Sequence, residues 1–123
     1  MTTNLKASNV SLTAEIRSYL DRRLEGLQKF LPEGKDASVA DIELSRTTKH
    51  HTGDVFLAEI NIRVGGRVFH AVAERPDLYE AIDHMKDEIT RELGSFKDKR
   101  LSLLKRGGQK IKNLLRGLSS GQN

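Results

Sequence analysis

"DVFLAEINIRVGGRVFHAVAER", residues 54–75, alternates apolar and polar positions on both sides of a glycine pair. Phe56, Ala58, Ile60, Ile62 and Val64 share one parity, and Glu59, Asn61 and Arg63 share the other. That is the period of two of a strand with one face buried. Gly65-Gly66 fits a two-residue hairpin turn, because glycine tolerates positive φ at both central positions. Pairing Val64 opposite Arg67 then puts Phe69, Ala71 and Ala73 on the same inner face. A one-residue slip would turn every one of these outward, so the agreement of both arms with the turn fixes the register.

Downstream, "RPDLYEAID" (75–83) starts a helix. Pro76 lacks a backbone donor and Asp77 is a good N-cap. Leu78, Ile82, Met85, Ile89, Leu93 and Phe96 then recur at spacings of 4, 3, 4, 4 and 3, which predicts a helix to about residue 103. Gly94 inside it costs about 1 kcal/mol relative to alanine and does not break the period. Upstream, "SVADIELSRTT" (38–48) is a second alternating strand, with Ala40, Ile42 and Leu44 inside. Before it, Ile16, Leu20, Leu24, Leu27 and Leu31 predict an amphipathic helix through Leu31, capped by Thr13, with Leu12 placed to pack back on the first turn. Pro32 and Gly34 end it. "NLKASNV" (4–10) is a short first strand with Leu5 and Ala7 on one face.

The order is therefore β-α-β-β-β-α, an α+β sandwich of two layers in which two helices cover one face of a four-stranded sheet. It spans residues 1–103, and 104–123 form a basic, flexible tail ending in the frayed "SSGQN". Within the tail, Ile111, Leu114, Leu115 and Leu118 lie on one face of a short segment, 110–118.

Composition narrows the function classes. No apolar run approaches the roughly 18 residues of a membrane span, and no signal peptide is visible at the N-terminus. With no cysteine there is no disulfide scaffold, thiolate metal site or cysteine nucleophile, in keeping with a cytoplasmic chain. Residues 1–96 hold 13 Lys/Arg against 16 Asp/Glu, a net charge of −3, whereas 97–123 hold 8 Lys/Arg against Asp98 alone, a net charge of +7. Such asymmetry points to a polyanion, either nucleic acid or an acidic membrane surface. His50, His51 and Asp54 lie in a polar loop unsuited to a metal, and His70 and His84 read as surface residues. "VGGRVF" lacks the lysine and following helix of a phosphate loop. No motif asks for catalysis, a cofactor or a small-molecule substrate.

Basic side chains at intervals along rigid helices suit a phosphate track. Helix one carries Arg17, Arg22, Arg23 and Lys29; helix two carries Lys86, Arg91, Lys97, Lys99 and Arg100, of which Lys86, Lys97 and Arg100 fall near one polar flank. Lys105, Arg106, Lys110, Lys112 and Arg116 continue the positive charge into the tail as weaker contacts. Tyr79, about a third of a turn off the apolar stripe, has two readings. Its ring can cover the edge of the inter-helix core with the hydroxyl free to reach RNA, or it can stack on a nucleotide.

Over residues 1 to about 100 the chain resembles the bacterial ribosome hibernation-promoting factors, also called ribosome-associated inhibitors or sigma-modulation proteins. The resemblance rests on "LTAEIRSYLDRRLEGLQKF", on "AVAERPDLYEAID" after the hairpin, and on "RELGSFKDK". It implies a fold similar to double-stranded-RNA-binding domains with an added first strand. It also implies binding in the mRNA and tRNA channel of the small ribosomal subunit through rRNA, which blocks translation in starved or stationary-phase cells. Arg17, Arg23, Lys29, Asp77, Tyr79, Arg91, Lys97 and Lys99 match family positions, while Gly26, Glu88 and Ser95 stand where relatives often carry lysine. Long relatives add a ribosome-pairing domain for which 123 residues leave no room, so pairing would need a separate dimerising protein. The alternative reading is a general RNA-binding or membrane-surface module that uses the basic tail.

Overall fold

The protein is described here by a computed structural model, which defines residues 1–31, 38–49 and 53–98. Strand β1 spans Thr2–Ser8, helix α1 Ala14–Glu25, β2 Ser38–Lys49, β3 Gly53–Val64 and β4 Arg67–Arg75. Residues 78–98 form helix α2. Met1–Leu93 make one compact unit and Gly94–Asn123 a second, of which residues 94–98 are described. His50, His51, the far end of the second helix beyond residue 98, and the 110–118 segment lie outside the described residues.

The sheet order is β1-β2-β3-β4. β2, β3 and β4 are antiparallel neighbours, and Val64 pairs with Arg67 as the hairpin reading requires. β1 is parallel to β2, with Leu5 beside Ile42 and Ala7 beside Leu44. A parallel pair needs a crossover, which α1 supplies. β1 begins two residues earlier than the alternation suggested and stops at Ser8, because Asn9 turns the chain at φ 59°, a conformation asparagine tolerates better than most residues.

The sheet buries one face. Ala40, Ile42, Leu44, Ala58, Ile60, Ile62, Ala71 and Ala73 meet Leu20, Leu24 and Leu27 from the first helical region and Leu78, Ala81, Ile82, Met85, Ile89 and Leu93 from α2 in a single core. Alanine at 71 and 73, opposite Ile60 and Ala58, leaves room for the helices to sit close. Phe56, Val64 and Phe69 close the margins of this core.

Both caps form. Thr13 Oγ1 accepts from the Ile16 N–H at 3.2 Å, and Asp77 Oδ2 accepts from the Glu80 N–H at 3.2 Å. Leu12, expected to pack back on the first turn, is 37% exposed. The first helix ends at Glu25 rather than Leu31. Gly26 weakens helix propagation, and the chain tightens into three-residue hydrogen bonds, Leu27 N–H to Leu24 O and Phe30 N–H to Leu27 O, both 3.0 Å. The tightened turn, with a 3-10 segment at Gln28–Phe30, drives Leu27 to 0% exposure.

The hairpin turn also differs from expectation. Gly65 alone takes a positive φ, 60°, whereas Gly66 does not. Positive φ at the first central position only is the type II′ turn, whose twist likewise matches the strands. Gly65→Ala is therefore expected to cost about 1 kcal/mol or more, because a Cβ there is strained. Gly66→Ala, with nothing within 4 Å of its Cβ position, is expected to be neutral or slightly stabilising. Urea melts of the two variants check the asymmetry.

Candidate nucleic-acid interface

Where α1 and α2 lie side by side on the sheet, a polar seam joins them. The Tyr19 hydroxyl donates to Asp83 Oδ1 at 2.5 Å and accepts from Arg23 Nη2 at 2.9 Å. Arg23 Nε completes the triangle on Asp83 Oδ1 at 2.9 Å. The Arg23 guanidinium lies 5.0 Å from the centre of the Tyr19 ring, a cation–π distance. Tyr79 meets that ring edge to face, with centroids 4.9 Å apart at 81°. A Cβ at Gly26 would sit 4.0 Å from Lys86 Cε. Successive contacts 19 with 79, 23 with 83 and 26 with 86 show that the helices run parallel.

The seam is locked electrostatically. Hydrogen bonding to Asp83, then burial, raises the Tyr19 pKa above its ordinary value. The bond to Tyr19, then the Asp83 carboxylate, raises that of Arg23. Arg23 and Asp83 are 44% and 38% exposed, so solvent screens their attraction. The pairing fixes rotamers more than it stabilises the fold.

This changes the picture of the basic residues. Arg23, Tyr79 and Lys86 come together along the seam, but Arg23 already carries a carboxylate. Six residues at about 100° each place Arg17 about 120° round α1 from Arg23, and five place Arg91 about 140° round α2 from Lys86. Arg17 and Arg91 are exposed on other flanks, so these cations do not make one continuous track within Met1–Leu93. Lys29 follows on the 3-10 turn, with its ammonium 5.1 Å from the Phe30 ring centre. Lys97 lies in the described part of the second unit, on the helical run. Lys99, Arg100, Lys105, Arg106, Lys110, Lys112 and Arg116 lie outside the described residues.

Nor is the helix layer basic in sum. α1 carries Glu15, Asp21 and Glu25 against Arg17, Arg22 and Arg23, and residues 78–93 carry five carboxylates against Lys86 and Arg91. Tyr19 and Asp83 were not singled out from the sequence as site residues. Their signal was the four-residue spacing of Tyr19 from Arg23 and of Tyr79 from Asp83, on helix flanks beside the apolar stripes.

Among the described residues no three His, Cys, Asp or Glu side chains gather as a metal site. No described helix is long and apolar enough to cross a membrane. His70 is on the outer sheet face, 2.9 Å from Glu59, and His84 is exposed on α2.

Comparison with known proteins places this architecture. A ribosome hibernation promoting factor of Escherichia coli K12 is 30% identical over 99 residues, covering 80% of this chain and 96% of that one. The crystal structure of the Thermus thermophilus Protein Y N-terminal domain superposes with a TM-score of 0.64 at 26% identity, covering 78% of this chain and 99% of that one. A ribosomal subunit interface protein from Coxiella burnetii shares the fold, with a TM-score of 0.64 at 16% identity, over 80% of this chain and 99% of its own. The parallel helix pair, the β1–β2 crossover and the N-capped "DLYEAID" helix thus sit in a known frame. Residues 3–101 match the model of the sigma 54 modulation protein / S30EA ribosomal protein family, and the chain belongs to that family.

Proposed function

We propose that this protein is a ribosome hibernation factor, a cytoplasmic translation inhibitor that keeps idle ribosomes inactive. The observation that carries the reading is the likeness to a ribosome hibernation promoting factor along 96% of that relative's length. Its site is the mRNA and tRNA channel of the small subunit, which it fills without catalysis. Contacts with rRNA come from Arg17, Lys29, Tyr79, Lys86 and Arg91, and from Lys97, Lys99 and Arg100. Arg23 contributes through the seam, with its charge shared with Asp83. Phosphate contacts position a protein on its nucleic acid, and their strength falls with salt. The basic tail adds Lys105, Arg106, Lys110, Lys112 and Arg116.

Co-sedimentation with purified small subunits tests this. Stoichiometric binding that weakens with salt and is displaced by mRNA with initiator tRNA is expected. Failure to pellet with subunits at low salt, by a protein with a normal melt, would remove the reading. Binding that ignores mRNA and tRNA would leave a ribosome-associated protein outside the channel.

A further inference from the structure

We propose that the groove between α1 and Tyr79 captures a single unstacked base, with guanine preferred. The inference deepens the hibernation reading and rests on it. The groove has a volume of about 550 Å³ and is lined by Ala14, Glu15, Ser18, Tyr19, Arg22 and Tyr79. Its space comes from small residues at 14 and 18, one helical turn apart on α1. Tyr79 also lines a second cleft of about 900 Å³ bordered by Arg46, Thr47 and Thr48, so its ring stands as a divider between two open spaces.

The ring is 37% exposed and its hydroxyl has no hydrogen bond among the described residues. It is nevertheless held, because it abuts Tyr19, which Asp83 and Arg23 fix in turn. A supported, solvent-facing aromatic ring is the platform on which unpaired bases stack, and any base supplies the π-face.

The polar groups of the groove add selectivity. Arg22 spends Nε on the Ser18 carbonyl at 3.4 Å, which leaves both terminal nitrogens without a partner among the described residues. Glu15 likewise has none. The two lie seven residues apart on α1, about 10.5 Å along the axis, a span that fits one base with a hydrogen bond at each edge. A carboxylate opposes phosphate, so Glu15 is not a backbone contact. It can accept from the N1–H and N2 amino group of guanine while Arg22 donates to O6 and N7, the preferred arginine–guanine geometry. Adenine and cytosine offer Glu15 only an amino group, and uracil only its imide N–H. Guanine is therefore expected to bind ahead of the other three bases.

The chain has two tyrosines and no tryptophan, so its intrinsic emission reports on this pair of rings. Titrating the full-length protein with the single-stranded pentanucleotides UUGUU, UUAUU and UUUUU should quench that emission most strongly with UUGUU. Tyr79→Leu should abolish the quench and weaken small-subunit binding roughly tenfold, within the range for one lost stacking contact. Tyr79→Phe, which keeps the ring, should bind within about twofold of the parent, and Arg22→Gln should erase the guanine preference. Unchanged subunit binding by a folded Tyr79→Leu protein, or equal quenching by all three oligonucleotides, overturns the proposal. Equal loss in Tyr79→Phe overturns stacking in favour of a hydroxyl contact. If the parent protein does not bind subunits at all, the hibernation reading fails instead, and the oligonucleotide titration still decides the groove.

Discussion

Replacing Lys99, Arg100, Lys105, Arg106, Lys110, Lys112 and Arg116 together with glutamine is expected to weaken ribosome binding by about a thousandfold at 0.15 M salt, a scale set by counterion release. The reason is the charge map. The helix layer that faces the proposed rRNA carries more carboxylates than cations, and residues 1–96 sum to −3. A body of that sign gains little from counterion release on its own, so the net attraction falls to the residues from 97 onward. Each phosphate neutralised contributes roughly 0.7 to 0.9 to the slope of log affinity against log salt, so losing seven cations should flatten the slope by up to about six. Full-length protein is retained, and the melting temperature serves as the control for folding. An unchanged slope would move the electrostatic contact back to the folded body.

Leu27→Ala is expected to cost about 3 kcal/mol, in the middle of the range for a leucine truncated in a closed core. For a unit of this size that is a fall in melting temperature of about 15 °C. Leu27 is 0% exposed and sits immediately after Gly26, where the helix gives way to the tight turn. Leu31, which the heptad-like spacing ranks equally, packs only partly against the core, and Leu31→Ala should cost less than half as much. Leu12→Ala, at a 37% exposed position, should shift the melt by no more than about 0.5 kcal/mol. Thermal denaturation of the three variants orders them. If Leu31 proved as costly as Leu27, α1 would have to continue past Gly26 in solution.

The same residues show how far local pattern carries. Strand alternation in 54–75, the hairpin register and the α2 stripe are properties of a few consecutive residues with a period set by backbone geometry. They were legible, as were both N-caps, because Thr13 and Asp77 each act three residues along the same chain. The family likeness was legible for the same reason: "DLYEAID" is contiguous. The end of α1 was not, because Gly26 costs only about 1 kcal/mol and the gain from burying Leu27 under the sheet appears only when the layers meet. The parallel pairing of β1 with β2 joins Leu5 to Ile42, and no local period encodes a partner 37 residues away.

For the candidate site the division is sharper. Sequence by itself determined which residues are charged, where the net charge changes sign, and that Tyr79 sits beside an apolar stripe. Tertiary structure alone decided that Arg23 spends its charge on Asp83, that Tyr19 props up Tyr79, and that Ala14 and Ser18 open a groove under Glu15 and Arg22. Tyr19 and Asp83 are 64 residues apart. A side chain's availability depends on what the fold brings within about 3 Å of it, and that distance is set by the packing of two helices on one sheet, not by the order of residues along either.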